Sequence, residues 1–211
     1  MLSEEAEAGR ALFYSADNAA MAAAGSGISC ATCHFQGRTD GLTWPLAVGY
    51  RQTPSLAGRL ADTAPDTWEG DVATVADEAV ETVTDRMGGT GLSTEEADAI
   101  EAYLLGLRAP DVGSEDPLSV ARGAVIFAAV GCDTCLSGVR TSDEQTHDVF
   151  GEDRVNTPSL RGIALTAPYL RSGSVPTLGE VITRAAAGEM GAPFSLTAAD
   201  ARDLEAYLRT L

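Results

Sequence analysis

An all-α chain made of two tandem copies of one helical unit is predicted by three observations. Landmarks recur in the same order in both halves, apolar residues fall at helical steps, and no convincing alternating strand pattern appears. Thr53-Pro54-Ser55-Leu56 returns as Thr157-Pro158-Ser159-Leu160, Thr63-Ala64-Pro65 as Thr166-Ala167-Pro168, and Glu101-Ala102-Tyr103-Leu104 as Glu205-Ala206-Tyr207-Leu208. Met87-Gly88 lies as far from Met190-Gly191 as Pro65 does from Pro168, and each half carries one C-x-x-C pair, Cys30/Cys33 and Cys132/Cys135.

Taken in order, a helix is expected around Ala8 to Tyr14, then the first cysteine pair, then a helix from Val72 to Arg86 that delivers Met87. Ser93-Thr94-Glu95-Glu96 is a capping box, and Ala97, Ile100, Leu104 and Leu107 follow it on one apolar face. The first unit is assigned to residues 1–109. A linker at 110–117 lies in the turn-rich stretch containing Pro110, Gly113 and Pro117, and the second unit is 118–211. That unit repeats the pattern with helices at Ser119 to Phe127, Leu178 to Ala187 and after Thr197 to Asp200, the last burying Leu204, Leu208 and Leu211.

Composition narrows the function. With 45% hydrophobic and 21% charged residues the 211-residue chain has an ordinary globular make-up, and no stretch is apolar enough for a transmembrane segment. Its formal charge of −17 comes from 31 acidic residues against 14 basic ones, all Arg. Such a surface repels nucleic acid and anionic lipid; it suits either a redox partner with a basic docking patch or solubility in a salty habitat.

Cys30-Ala31-Thr32-Cys33-His34 is C-x-x-C-H, the covalent haem attachment pattern. Two thiols one turn apart meet the two vinyl groups, and the next residue then places an imidazole under the ring to bind iron. A zinc or redox C-x-x-C is the alternative, but this unit holds no second ligand pair to complete a zinc site. Across the iron, Met87 is the candidate sixth ligand, since its glycine-flanked loop can bring a thioether onto the open face; the alternative is a core-filling Met. His34 and Met87 together favour ferrous iron and leave no vacant position, which suits electron transfer. One covalent haem c is therefore expected. Because haem is normally attached outside the cytoplasm, while MLSEEAEAGR lacks a secretory pattern, the sequence reads as a mature form or a fragment.

The second pair, Cys132-Asp133-Thr134-Cys135, is followed by Leu136 where His34 stands in the first unit, so the motif supplies no imidazole. An unloaded, structural unit whose thiols form a local disulfide or stay free is the leading expectation. Two alternatives remain open: a copper site from Cys132, Cys135, His147 and Met190, all soft or borderline ligands, and a haem bound without a motif histidine.

Gly9-Arg10-Ala11-Leu12-Phe13, Ser29 to His34, Arg51-Gln52-Thr53-Pro54-Ser55-Leu56 and Trp68-Glu69-Gly70 resemble the first domain of the bacterial di-haem cytochrome c peroxidase and MauG superfamily. Thr157 to Gly162, Ala167-Pro168-Tyr169-Leu170 and Gly173 resemble its second domain. This resemblance implies two cytochrome c-like domains, periplasmic residence and, in the family's enzymes, peroxide reduction or oxidation of a partner protein. It implies that Trp68 stands between haems and that Arg51 meets a propionate, with plain packing as the alternative for both. Three departures count against the enzyme. Leu136 replaces the second motif histidine, Tyr169-Leu170-Arg171-Ser172-Gly173 lacks the family's second-domain histidine, and Arg86 stands where the peroxidases carry Glu before the Met. A mono-haem electron carrier is the expectation that follows, with peroxidase or MauG-like oxidoreduction as the alternative.

Overall fold

The structure, a computed structural model, describes residues 2–211; Met1 lies outside the described residues. Two units form, each around its own core. Unit one takes the described chain up to Asp40, with Thr53–Thr67 and Asp71–Arg108; unit two takes Gly41–Gln52, Trp68–Gly70 and Ala109–Leu211.

Unit one contains α1 (Glu4–Phe13), the one-turn α2 (Cys30–Cys33), α3 (Val75–Glu81) and α4 (Thr94–Leu105). Local chemistry fixes where they begin. Ser3 Oγ accepts from the Ala6 amide, and three acidic residues in the first turn of α1 complement its positive end. At α4 the predicted capping box forms: Ser93 Oγ accepts from the Glu96 amide while Glu96 accepts from the Ser93 amide. The crossing of α1 on α4 depends on Gly9, where an added Cβ would lie 1.8 Å from the Ala99 carbonyl oxygen. Only a glycine lets the two backbones approach so closely. Phe13 and Tyr103 then pack in a tilted arrangement, ring centres 5.4 Å apart, over a core of Met21, Val75, Val83, Ile100 and Leu104.

In unit two the same frame is built from α5 (Pro117–Ala129), α6 (Leu178–Arg184) and α7 (Ala198–Leu208). Asp116 caps α5, with Pro117 at its first position, and Thr197 and Asp200 form the capping box of α7. Gly123 is the counterpart of Gly9; its added Cβ would lie 2.0 Å from the Asp203 carbonyl oxygen, and Phe127 packs on Tyr207 at 5.3 Å. Both α3 and α6 start from a threonine cap, Thr74 and Thr177, and both end in a π-helical turn, Thr82–Arg86 and Ala185–Glu189.

Three details depart from the sequence reading. The chain is mostly helical, but it also has two antiparallel hairpins, β1 (Thr43–Leu46) with β2 (Gly49–Gln52), and β3 (Thr146–Val149) with β4 (Glu152–Asn156). Neither shows an alternating pattern: Pro45 interrupts the first, and the register of the second shifts between His147 and Val149. Residues 41–52 and 68–70, placed in the first half by sequence order, pack within unit two. There the Gln52 amide donates to the Arg171 carbonyl and the Asn156 amide to the Trp68 carbonyl. Pro117, read as the linker's end, is the first residue of α5. No helix among the described residues is long and apolar enough to cross a membrane.

Candidate haem site and its counterpart

The short α2 holds Cys30 and Cys33 one turn apart, and its last turn is closed by the His34 amide donating to the Cys30 carbonyl at 2.9 Å. The chain then reverses through a 3-10 turn at Phe35–Gly37, with Gln36 at φ 55° and Gly37 at φ 71°. Gly37 is required here, since a Cβ would sit 2.4 Å from Leu107 Cδ1. The Gly37 carbonyl accepts from both Leu56 and Ala57 at 2.8 Å, which fastens the Thr-Pro-Ser-Leu segment beside His34.

The imidazole so held is half-buried, and its Nδ1, itself shut off from solvent, has no hydrogen-bond partner. Burial pushes its pKa down; the Asp40 carboxylate and the Pro54 and Arg38 carbonyls nearby pull the other way without restoring it. A neutral imidazole with a buried, unsatisfied nitrogen is the form that binds iron, and leaving that nitrogen bare costs free energy. The neighbouring thiols are not activated. Burial, reinforced by Cys33, lifts Cys30 to about 11, and burial and Asp40 raise Cys33. A redox C-x-x-C lowers a thiol pKa instead, so the set fits haem c better than disulfide exchange.

Met87 follows the π-helical turn, its amide bonded to Thr82 O at 3.0 Å and its carbonyl accepting from Ala23 at 2.9 Å. It is half-buried and packs on the unit-one core, as do Cys30 and Ala31. Arg86 beside it turns back along its own helix to Glu78 and Thr82. Arg51 and Trp68 belong to unit two. The Arg51 guanidinium is paired with Glu69 at 2.9 Å, and Trp68 Nε1 donates to the Gln52 carbonyl at 3.1 Å.

Around Cys132 the backbone repeats α2 only in part, as a 3-10 turn at Cys132–Thr134, with the Leu136 amide on the Cys132 carbonyl at 3.1 Å. Leu136 and Cys132 pack on the unit-two core, which leaves an apolar contact where unit one has an unsatisfied imidazole. Burial, then the Asp133 charge, raises Cys132 to about 11. Met190 is 40% exposed and outside that core. Of the candidate second-site ligands, Cys135 and His147 come together, and Asp143 joins them. The sequence reading missed Asp143, as it missed Asp40 beside His34. Burial raises the Asp143 carboxyl, but hydrogen bonds from Thr157, His147 and the Gln145 amide outweigh it and hold the group below its ordinary value.

Residues 156–187 match a family described as RoxA-like, cytochrome c-like. Over 282 residues the chain is 26% identical to the methylamine utilization protein MauG of Methylorubrum extorquens, an alignment covering 99% of this chain and 78% of that protein. Among solved structures it is similar to a MauG-like protein associated with microbial copper homeostasis, with a TM-score of 0.77 at 23% identity, covering 100% of this chain and 89% of that one. Hydrazine synthase of Kuenenia stuttgartiensis gives 0.78 at 22% identity, covering 100% and 88%. The diheme peroxidase BthA of Burkholderia thailandensis gives 0.73 at 16%, covering 100% and 86%. The fold is therefore that of the MauG-like cytochrome c peroxidases, and the resemblance read from the motifs extends along the whole chain.

Proposed function

We propose that the chain is an exported, periplasmic c-type cytochrome that carries one haem and transfers single electrons to and from a redox partner with a basic docking patch. One observation carries this reading. At the same backbone position, unit one holds an imidazole with a buried, unsatisfied nitrogen and unit two holds Leu136 packed against its core. When bound, haem supplies a reversible one-electron iron couple. Cys30 and Cys33 fasten it, His34 presents a neutral nitrogen, and Met87 offers a thioether from the same core cluster as Cys30. The 31 acidic residues supply the field that draws in a cationic partner, an attraction that falls as salt screens it.

Peroxidase or MauG-like oxidation of a partner protein is the second reading, favoured by the alignment with MauG. Against it, a peroxidase of this kind needs a second haem to supply an electron and an acid or base to cleave the O–O bond. Leu136 removes the iron ligand, and Arg86 is a cation already engaged by Glu78. The four-residue copper site is weaker, because Cys132 lies on the apolar core and Met190 is exposed.

Pyridine haemochrome assay is expected to give one haem per chain, and Met87→Ala is expected to abolish the near-infrared iron–thioether band and lower the reduction potential. Stopped-flow mixing of the reduced protein with peroxide should show no turnover. Two haems per chain, an unchanged Met87→Ala spectrum or prompt repeated oxidation by peroxide would each overturn the carrier reading.

A further inference from the structure

Unit two has lost the residue that would hold iron, yet its second cysteine lies in a cluster of metal-ligating side chains. The Cys135 Sγ, a carboxylate oxygen of Asp143 and a ring nitrogen of His147 all lie within 4.8 Å of one another, each half-buried. They come from three places: the turn after Cys132–Thr134, the loop before β3, and β3 itself. The cluster is braced. Asp143 Oδ1 accepts from the Gln145 amide at 3.1 Å, which leaves Oδ2 to meet His147 Nε2 at 2.8 Å. Ser142 Oγ donates to the Thr157 carbonyl at 2.7 Å, tying the loop to the segment after β4, and His147 is paired with Val155 across the hairpin.

We propose that Cys135, Asp143 and His147 form a binding site for a zinc-like divalent ion in unit two. Ligand atoms 2.0–2.3 Å from a tetrahedral ion stand roughly 3.3–3.8 Å apart, so the Asp143–His147 pair must open from its 2.8 Å hydrogen bond while the separations to Cys135, none above 4.8 Å, close by up to about 1.5 Å, shifts within reach of side-chain rotation. The ligand types select the ion. One thiolate, one imidazole and one carboxylate suit zinc, whereas calcium and magnesium take oxygen alone. Three protein ligands at a half-buried position leave a fourth open to water. Cys132 takes no part, because it packs on the core. The site rests on the reading that unit two carries no haem, since a thioether bond would consume Cys135.

Haem-loaded full-length protein, stripped with chelator, kept with its thiols reduced and then incubated with excess zinc, should retain one zinc per chain after desalting, measured by elemental analysis beside the haemochrome assay. Retention should survive Cys132→Ser and be lost in Cys135→Ser and His147→Ala, with Asp143→Asn weakening it at least tenfold; an unchanged far-UV circular dichroism spectrum and urea unfolding curve report that unit two of each variant is folded. Cobalt should give a thiolate charge-transfer band that Cys135→Ser removes. No zinc retained, or equal retention in Cys135→Ser as expected of binding spread over acidic surface, overturns the site while one haem per chain leaves the carrier reading standing. Two haems per chain overturn both.

Discussion

The two units are one frame carrying different chemistry. Gly9 and Gly123 allow equivalent helix crossings, the Phe13–Tyr103 and Phe127–Tyr207 pairs fill the same place, and both units end a capped helix in a π-helical turn before a methionine. The difference lies where a cofactor would be held. Unit one leaves a ring nitrogen of His34 buried and unsatisfied and packs Met87 on its core; unit two has Leu136 in that place and a more exposed Met190. The comparison teaches that one frame accommodates either an apolar side chain or an unpaired ring nitrogen at this position. The unpaired nitrogen carries a desolvation cost that ligation would offset.

The largest effect is expected from making unit one resemble unit two. His34→Leu should remove haem altogether, taking the haemochrome signal from one equivalent to none. The reverse change, Leu136→His, tests whether a single residue separates the halves: a second equivalent is expected when the variant is matured alongside the wild type. Haem retained by His34→Leu would break the comparison at its root.

A smaller effect is expected from the part the units share. Gly9→Ala and Gly123→Ala each place a Cβ within about 2 Å of a backbone carbonyl oxygen. The helices must then move apart, at about 2–3 kcal/mol in each case. Denaturant unfolding measures this. A cost well under 1 kcal/mol at either glycine would show that its crossing is looser than its partner's.

How much of this was legible in the sequence follows from the range of the forces involved. Caps and helices are set by residues three or four apart, so Ser93 to Glu96 and Thr197 to Asp200 announce their helices directly. Attachment chemistry is also local, which is why Cys30, Cys33 and His34 could be singled out together. Both hairpins escaped. The first contains Pro45 and turns at Ala47-Val48; the second turns at Phe150-Gly151, with Phe150 at φ 54°, a conformation that phenylalanine does not advertise. Asp143 escaped as well. It stands four residues before His147, but in a loop and strand rather than a helix, where that spacing has no geometric meaning. Arg51 and Trp68 sit early in the chain, yet they pack with unit two through Glu69, Gln52 and Asn156, partners that no local pattern links to them.

The smallest expected effect concerns a position where the frame is the same and the side chain is not. Asp66 and Tyr169 each follow the repeated proline, and each forms an isolated bridge, to Val72 and to Val175. Tyr169 is buried and satisfies its hydroxyl on the Ile163 carbonyl at 3.2 Å. Asp66 is 9% exposed, and burial, with the charges of Glu101 and Glu78, lifts its carboxyl to about 6 from an ordinary 3.8. The folded chain therefore holds a proton between about pH 4 and 6 that the unfolded chain has released. Linkage then requires stability to rise as pH falls through 6 towards 4, and the charged carboxylate to cost stability above 7. Asp66→Asn should remove that slope and stabilise unit one at pH 7 by about 1 kcal/mol, the roughly 3 kcal/mol implied by the shift being cut by solvent around a partly screened group. Urea unfolding at pH 5 and pH 7 measures the effect. If Asp66→Asn keeps the wild-type difference between the two pH values, the titration lies elsewhere and the units do not differ in charge at this position.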